Sequence, residues 1–219
     1  CTFKNNKAQA GGAIACLQNP NTGHSTLIVE DSTFIGNDGI YGGAIYCDDF
    51  STVSVSGSNF TANEANMGGA IYTLNDLTVD GTTFDANIAS TGAAIYISDK
   101  YNNVTLTVTD STFKNNLVDD CGAVAIYGKN GNGVKYDISG SEFTDNVAYN
   151  MDPDACCAGA AVYAEGTAAK GRLYNDKFTG NKVDSDTFPN GGAVKVQFGG
   201  DATIEGCTFE NNTAALTGG

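Results

Sequence analysis

Phe34-Ile35-Gly36-Asn37, followed at a fixed distance by Gly42-Gly43-Ala44-Ile45-Tyr46, decides the fold. The Phe recurs at Phe3, Phe34, Phe60, Phe84, Phe113, Phe143, Phe178 and Phe209. Each has an Asn three residues on: Asn6, Asn37, Asn63, Asn87, Asn116, Asn146, Asn181 and Asn212. In the first five copies the run of small residues opens eight residues after the Phe, at Gly11, Gly42, Gly68, Gly92 and Cys121. Phe-to-Phe spacing runs from 24 to 35 residues. One segment of constant length and one elastic segment per repeat mark a solenoid, whose units bury their apolar faces by stacking.

Five residues before each later Phe stands an aliphatic side chain: Val29, Val55, Val79, Val108, Ile138, Leu173 and Ile204. Leu27, Val53, Leu77 and Leu106 precede the first four by two positions. That period of two belongs to a strand with one buried face. A turn former separates this strand from the Phe: Asp31, Gly57, Gly81, Asp110, Gly140, Asn175 or Gly206. No stretch carries an apolar period of 3.6 over a helix length. Each repeat therefore reads strand, tight turn, Phe strand, Asn turn, Gly-Gly-Ala-Ile strand. The fold class is all-β: a single-stranded parallel β-helix of about seven coils, three short strands per coil.

Coils stacked about 4.8 Å apart place like on like. Phe34, Phe60, Phe84, Phe113 and Phe143 are expected to pile into one column. Asn37, Asn63, Asn87, Asn116 and Asn146 are expected to form an amide ladder at the bend. The glycines supply positive φ at a corner or let backbones approach closely. Because the repeat runs through residues 1–219, the expectation is one β-helix domain, either a segment of a longer solenoid or a stacking unit.

Twenty-five acidic residues against 11 Lys plus Arg give a net charge of −14. Such a surface repels nucleic-acid phosphates and anionic lipid, and repels polyuronates unless calcium bridges the two. No apolar run is long enough to span a bilayer, so direct membrane insertion is not expected. The chain starts inside a repeat and carries no signal peptide, as if one had been cleaved or omitted. Seven Cys point to an oxidising compartment, although the count is odd. Cys16 and Cys47 share one register position in adjacent coils, about 5 Å apart and within disulfide range. Cys156 or Cys157 is the expected partner of Cys121. Buried free thiols in a ladder are the alternative for all of them.

Tyr46, Tyr72 and Tyr96 each follow the inward Ile and so face outward, either as a carbohydrate-binding stripe or as a cross-strand aromatic ladder. Segments 147–158 and 184–189 are insertions at one location in successive coils, and insertions in solenoids gather on the binding face. Within them Asp152, Asp154, Asp184 and Asp186 are candidate binding residues. Asp152 and Asp154 are candidate calcium ligands without the Gly and Glu of an EF-hand; no other cofactor is implied. Asn103, Asn59 and Asn211 fit the glycosylation acceptor pattern. His24, the single His, lies in a polar loop and reads as solvated.

The paired motifs Phe-x-x-Asn and Gly-Gly-Ala-Ile resemble the repeats of the chlamydial polymorphic outer-membrane proteins and of adhesin-like surface proteins. The resemblance spans nearly the whole chain. Gly92-Ala93, Cys121-Gly122 and Gly159-Ala160 depart from its double glycine. It implies a right-handed parallel β-helix, secreted and displayed at the cell surface, often as an autotransporter passenger that mediates adhesion. The expected function is a non-catalytic extracellular surface protein, adhesin-like or structural. It would present loops 150–157 and 184–189 to a protein or glycan at a cell surface. One alternative is the subunit of an extracellular filament, self-associating end to end. The other is a polysaccharide-active enzyme of the pectin-lyase-like fold, which needs clustered carboxylates and a basic residue. Against that stand a single Arg, Arg172, and the scatter of Asp48, Asp49, Asp119 and Asp120 over separate coils.

Overall fold

The computed structural model describes residues 1–17, 23–129, 131–149, 159–185 and 190–214. Their strands sort into four sheets, each adding one strand per coil. The Phe sheet runs from Thr2–Lys4 through Thr33–Ile35, Asn59–Thr61, Thr83–Asp85 and onward to Thr208–Glu210. The aliphatic sheet runs from Ser25–Glu30 to Asp201–Glu205. The Gly-Gly-Ala-Ile sheet runs from Ile14–Cys16 to Val194–Gln197. Pairing is parallel and in register: Phe34 faces Phe60, Val79 faces Val55 and Val108, and Ile71 faces Ile45 and Ile95. The chain is a parallel β-helix.

The three-strand count per coil needs correction, because a fourth sheet fills the interval between the Asn and the glycines. It runs from Glu64–Met67 through Ile88–Thr91 and Leu117–Cys121 to Thr213–Ala214. In the first coils isolated bridges stand in its place, Lys7 with Asp38 and Ala10 with Tyr41. A small apolar residue two positions after the Asn turns inward there. Ala89, Val118, Ala148 and Val183, with Ala93 and Ala160, form a second core apart from the main one.

The main core is a set of columns. Neighbouring Phe rings from Phe3 to Phe209 stack with centroids 4.6 to 5.0 Å apart and within 10° of parallel. Ring stacking of this kind adds about 0.5–1.5 kcal/mol per pair beyond burial. Beside it the Asn side chains form a continuous ladder. Asn87 is fully buried; its Nδ2 donates to Asn116 Oδ1 at 3.1 Å and to the Phe60 carbonyl at 3.0 Å. Its Oδ1 accepts from both the backbone N–H and the Nδ2 of Asn63, each at 3.0 Å. The same bonds repeat from Asn6 to Asn212.

The buried Asn is not itself the left-handed residue of its turn. That role falls one position earlier, on Asn5, Gly36, Ala62, Ala86, Asn115, Asp145, Gly180 and Asn211. For Ala62 (φ 52°) and Ala86 (φ 54°) the Cβ clash costs roughly 1–2 kcal/mol. The paired glycines divide the two roles expected of them. Gly42 has φ +64°, while a Cβ on Gly43 would run into the carbonyl oxygen of Gly69 in the next coil.

A second ladder, not anticipated from the sequence, occupies the position two residues before the Phe. Ser58, Thr82, Ser111 and Ser141 each accept a backbone N–H from the preceding coil, and Ser32 accepts from the α-ammonium of Cys1. Each donates its hydroxyl to the carbonyl two residues earlier in its own chain. Asp176 takes this place in the next coil. Its Oδ1 accepts from Ser141 N at 2.8 Å and its Oδ2 from Tyr174 N at 3.0 Å, with the side chain 1% exposed.

Candidate functional site: a tyrosine-lined groove

Alternation along the Gly-Gly-Ala-Ile sheet sends Ile45, Ile71 and Ile95 into the core and their successors to the other face. Tyr46, Tyr72 and Tyr96 stack there with centroids 5.3 and 4.8 Å apart, at 9° and 1° to one another. Ala125 holds the next register position, so the column would break above Tyr96. Tyr127, two residues on, fills the gap from the side, 5.2 Å from the Tyr96 ring. Tyr163 then tilts against Tyr127 at 5.7 Å.

Loops build the groove walls over this floor. Tyr41 leans on Tyr72 at 5.4 Å and 58°, and Tyr101 stands at the rim, 52% exposed. With Met67, Ser98, Asp49 and Lys100 they enclose a cleft of about 690 Å³. A hollow of about 290 Å³ shares Met67, Tyr96 and Ser98 with it and continues to Thr91, Tyr127 and Lys129. The loops are pinned by amides: Asn75 and Asn102 donate to the Asp49 carbonyl at 2.7 and 2.8 Å, and Asn132 to the Asp99 carbonyl at 2.9 Å. A wall so held meets a ligand without having to be ordered first.

Charges of both signs border the groove: the carboxylates of Asp48 and Asp49 act on Tyr46, and those of Glu165 and Asp99 on Tyr96, with Lys100 and Lys129 as the cations. Burial pushes the phenols of Tyr46, Tyr72 and Tyr127 up, and that of Tyr96 up to about 12, so all four are uncharged hydroxyls at neutral pH. Lys129 lies over the Tyr127 ring at 4.9 Å and pairs with the buried Glu165 carboxylate at 2.6 Å. Glu165 also accepts the Tyr163 hydroxyl at 2.6 Å, and Gln197 donates to that hydroxyl. Lys100 and Asp49 bring one charge of each sign to the main cleft.

The other sequence candidates lie elsewhere. Asp184 is exposed and pairs with Lys182 at 2.9 Å, away from the groove. Asp152, Asp154, Asp186, Cys156 and Cys157 fall outside the described residues. Cys16 and Cys47 are register partners and stand as free thiols; burial, first, and the neighbouring Cys16 hold the Cys47 thiol far above its usual range. Cys121 is disulfide-bonded. Asn59, Asn103 and Asn211 are exposed, and Asn103 opens a hollow of about 520 Å³ flanked by Lys135 and Lys170. Arg172 sits on the aliphatic sheet, bound at 2.9 Å by both Nε and Nη2 to Asp137. His24 lies in its loop with Nδ1 3.1 Å from the Phe50 carbonyl. Among the described residues, no three His, Cys, Asp or Glu side chains are grouped to hold a metal, and no helix is long and apolar enough to cross a membrane.

Residues 106–217 match the family model of the right handed beta helix region. The chain belongs to the right-handed β-helix family. Residues 1–17 of this β-helix also match the repeat of the Chlamydia polymorphic membrane protein. That segment contains Phe3, Asn6 and Gly11-Gly12-Ala13-Ile14, the motif pair on which the sequence resemblance rests. No curated protein and no solved structure is a significant match. The β-helix frame itself is shared with enzymes, so it leaves activity to be argued from the site.

Proposed function

We propose that this β-helix is a non-catalytic protein displayed outside the cell, an adhesin-like element whose ligand contacts run along the tyrosine groove. The observation that carries the reading is the groove itself: a concave surface floored by stacked tyrosines and bordered by Ser98, Asp49 and Lys100, on a sheet and between pinned loops. Ligand sites are concave and set placed polar groups among aromatic side chains. Surface display is supported by the similarity of the opening repeat to that of an outer-membrane protein class and by the acidic surface. The one Arg of the chain is bound to Asp137 on another sheet, which leaves the groove without the arginine that polyuronate chemistry favours.

Retention of protein-coated beads on cultured cells, with and without Tyr101→Ser, tests the proposal. Tyr101 is exposed at the rim, so its loss leaves the core intact. Retention should fall several-fold; retention equal to that of the parent refutes the groove as the contact. Deletion of residues 150–157 tests the other candidate surface in parallel. Release of reducing sugar or unsaturated uronate from a polysaccharide panel would refute the non-catalytic reading.

A further inference from the structure

We infer that a second site, on the aliphatic sheet, takes one tetrahedral oxyanion, a phosphate or sulfate monoester, between Lys135 and Lys170. This site goes beyond the reading of the tyrosine groove and shares no lining residue with it.

The pairing of charges from coil to coil points to it. Lys7, Lys114 and Arg172 each stand opposite an acid in the adjacent coil and pair with it: Asp38, Asp85 and Asp137. Lys135 departs from this pattern. Its register partners are Thr105 on one side and Lys170 on the other, and it makes no ion pair among the described residues. Lys170 reaches Asp201 at 3.5 Å, but both side chains are more than half exposed, so that pair is weak. Like charges directly opposite on one face of a sheet cost stability. With 25 acids against 11 Lys plus Arg, the chain nonetheless stacks two lysines, a cost that a bound anion offsets.

Beside the two lysines lies a hollow of about 520 Å³, lined also by Asn103, Thr105 and Thr167. The side chains of these three make no hydrogen bond to the described residues, which leaves an amide and two hydroxyls for a ligand. Glycines keep its wall low. A Cβ on Gly133 would stand 3.3 Å from Asn103 Oδ1, and one on Gly131 would meet nothing within 4 Å. The loop between them is pinned, with Asn132 donating to the Asp99 carbonyl at 2.9 Å, so the wall is in place before a ligand arrives.

The kind of anion follows from the donors. Two ammonium groups act as point charges and suit a tetrahedral oxyanion, whereas a planar carboxylate is matched by the fork of an arginine. The one Arg of the chain is taken by Asp137. Carboxylates close the column at both ends: Asp76, which accepts the Thr105 N–H at 2.7 Å, and Asp201. The positive stretch is therefore two coils long, about 4.8 Å from one lysine to the next, and a polyanion would run its further charges against these acids. The rest of the acidic surface acts little here, because salt screens exposed charges beyond about 8 Å. The hollow is larger than a bare oxyanion and admits the body of a small ester.

The test is an NMR titration of isotope-labelled protein at low salt with glucose 6-phosphate, glucose 6-sulfate and glucose. Backbone amides of Gly133, Lys135 and Lys170 should shift and saturate in the millimolar range with at least one ester, and stay in place with glucose. The ester that acts separates a phosphate source from a sulfate source, and a response to both assigns the shared oxyanion. Lys135→Gln and Lys170→Gln should each weaken binding roughly five- to tenfold, the worth of one charge-assisted bond at an exposed site. Lys177→Gln, on the Phe sheet, should leave it unchanged. Without ester, Lys135→Gln should melt no lower than the parent, because it dissolves the like-charged pair. No saturable shift with either ester, an equal response to glucose, or full affinity in either of the two variants overturns the inference. So does a lower melting temperature for Lys135→Gln without ester, which would make the lysine a part of the fold instead of a ligand contact.

Discussion

Replacing Asp176 by Ser should stabilise the protein at neutral pH and do little at pH 4. Asp176 is the single carboxylate in the hydroxyl ladder among the described coils, and it is almost completely buried. Desolvation, opposed by its two backbone N–H donors and reinforced by Asp137, pushes its pKa up from 3.8 to about 7. A folded-state pKa above the unfolded value means that the folded chain holds the proton more tightly. The resulting stabilisation is present in full below pH 3.8 and is lost as pH rises through about 7. At about 1.36 kcal/mol per unit, the gap of about three units amounts to roughly 4 kcal/mol between acid and alkaline conditions. A Ser hydroxyl can accept from Ser141 N, as Ser141 Oγ does from Ser111 N at 3.1 Å, and it has no charge to desolvate. It gives up the bond from Tyr174 N, worth about 1 kcal/mol. Asp176→Ser should therefore exceed the parent by roughly 2–3 kcal/mol at pH 8 and fall within about 1 kcal/mol of it at pH 4. Urea midpoints at pH 4, 6 and 8 measure this directly, with the slope checked because stacked repeats can unfold in parts. A parent-to-variant difference that does not change with pH, or a variant weaker at pH 8, refutes the assignment.

Asn87→Ala should cost about 3–5 kcal/mol, because it strands the Asn63 N–H, the Asn63 amide and the Phe60 carbonyl in the core; urea denaturation reads the loss. Ala86→Gly, one residue earlier, should raise stability by about 0.5–1 kcal/mol, since the relief at φ 54° exceeds the added chain entropy; a matched melting experiment checks the sign. Ultraviolet titration of Tyr96, isolated by comparing the parent with Tyr96→Phe, should show no phenolate below about pH 11, because burial lifts its pKa to about 12.

Much of this fold was legible because its signals repeat at fixed offsets. The Phe, the Asn and the aliphatic strand each recur in every coil, and a slip of one residue would turn every one of those side chains to the wrong face. The fourth sheet was harder to see: its buried residues are single small ones such as Ala89 and Ala148, which differ little from the residues around them. The hydroxyl ladder did leave a mark, a Ser, Thr, Asp or Cys two residues before almost every Phe, but isolated hydroxyls next to turns are common enough to pass unnoticed. For the site, alternation was enough to put Tyr46, Tyr72 and Tyr96 on the outer face. It gave no hint that Ala125 would shift the column onto Tyr127, because that depends on a side chain reaching across from another register position. Nor did it reveal the walls, since Tyr101 and Asn102 belong to the elastic segment whose length changes from coil to coil.

In the amide ladder each Asn side chain gives one hydrogen to the Asn of the C-terminal coil and the other to the Phe carbonyl of the N-terminal coil, so every amide-to-amide bond runs toward the C-terminus. The small dipoles therefore all point one way, and bonds so aligned strengthen one another. The solenoid has a grain, like a row of magnets laid nose to tail. A coil inserted upside down would meet oxygen with oxygen, so any lengthening of this architecture, within one gene or between molecules, has to keep the same direction of travel.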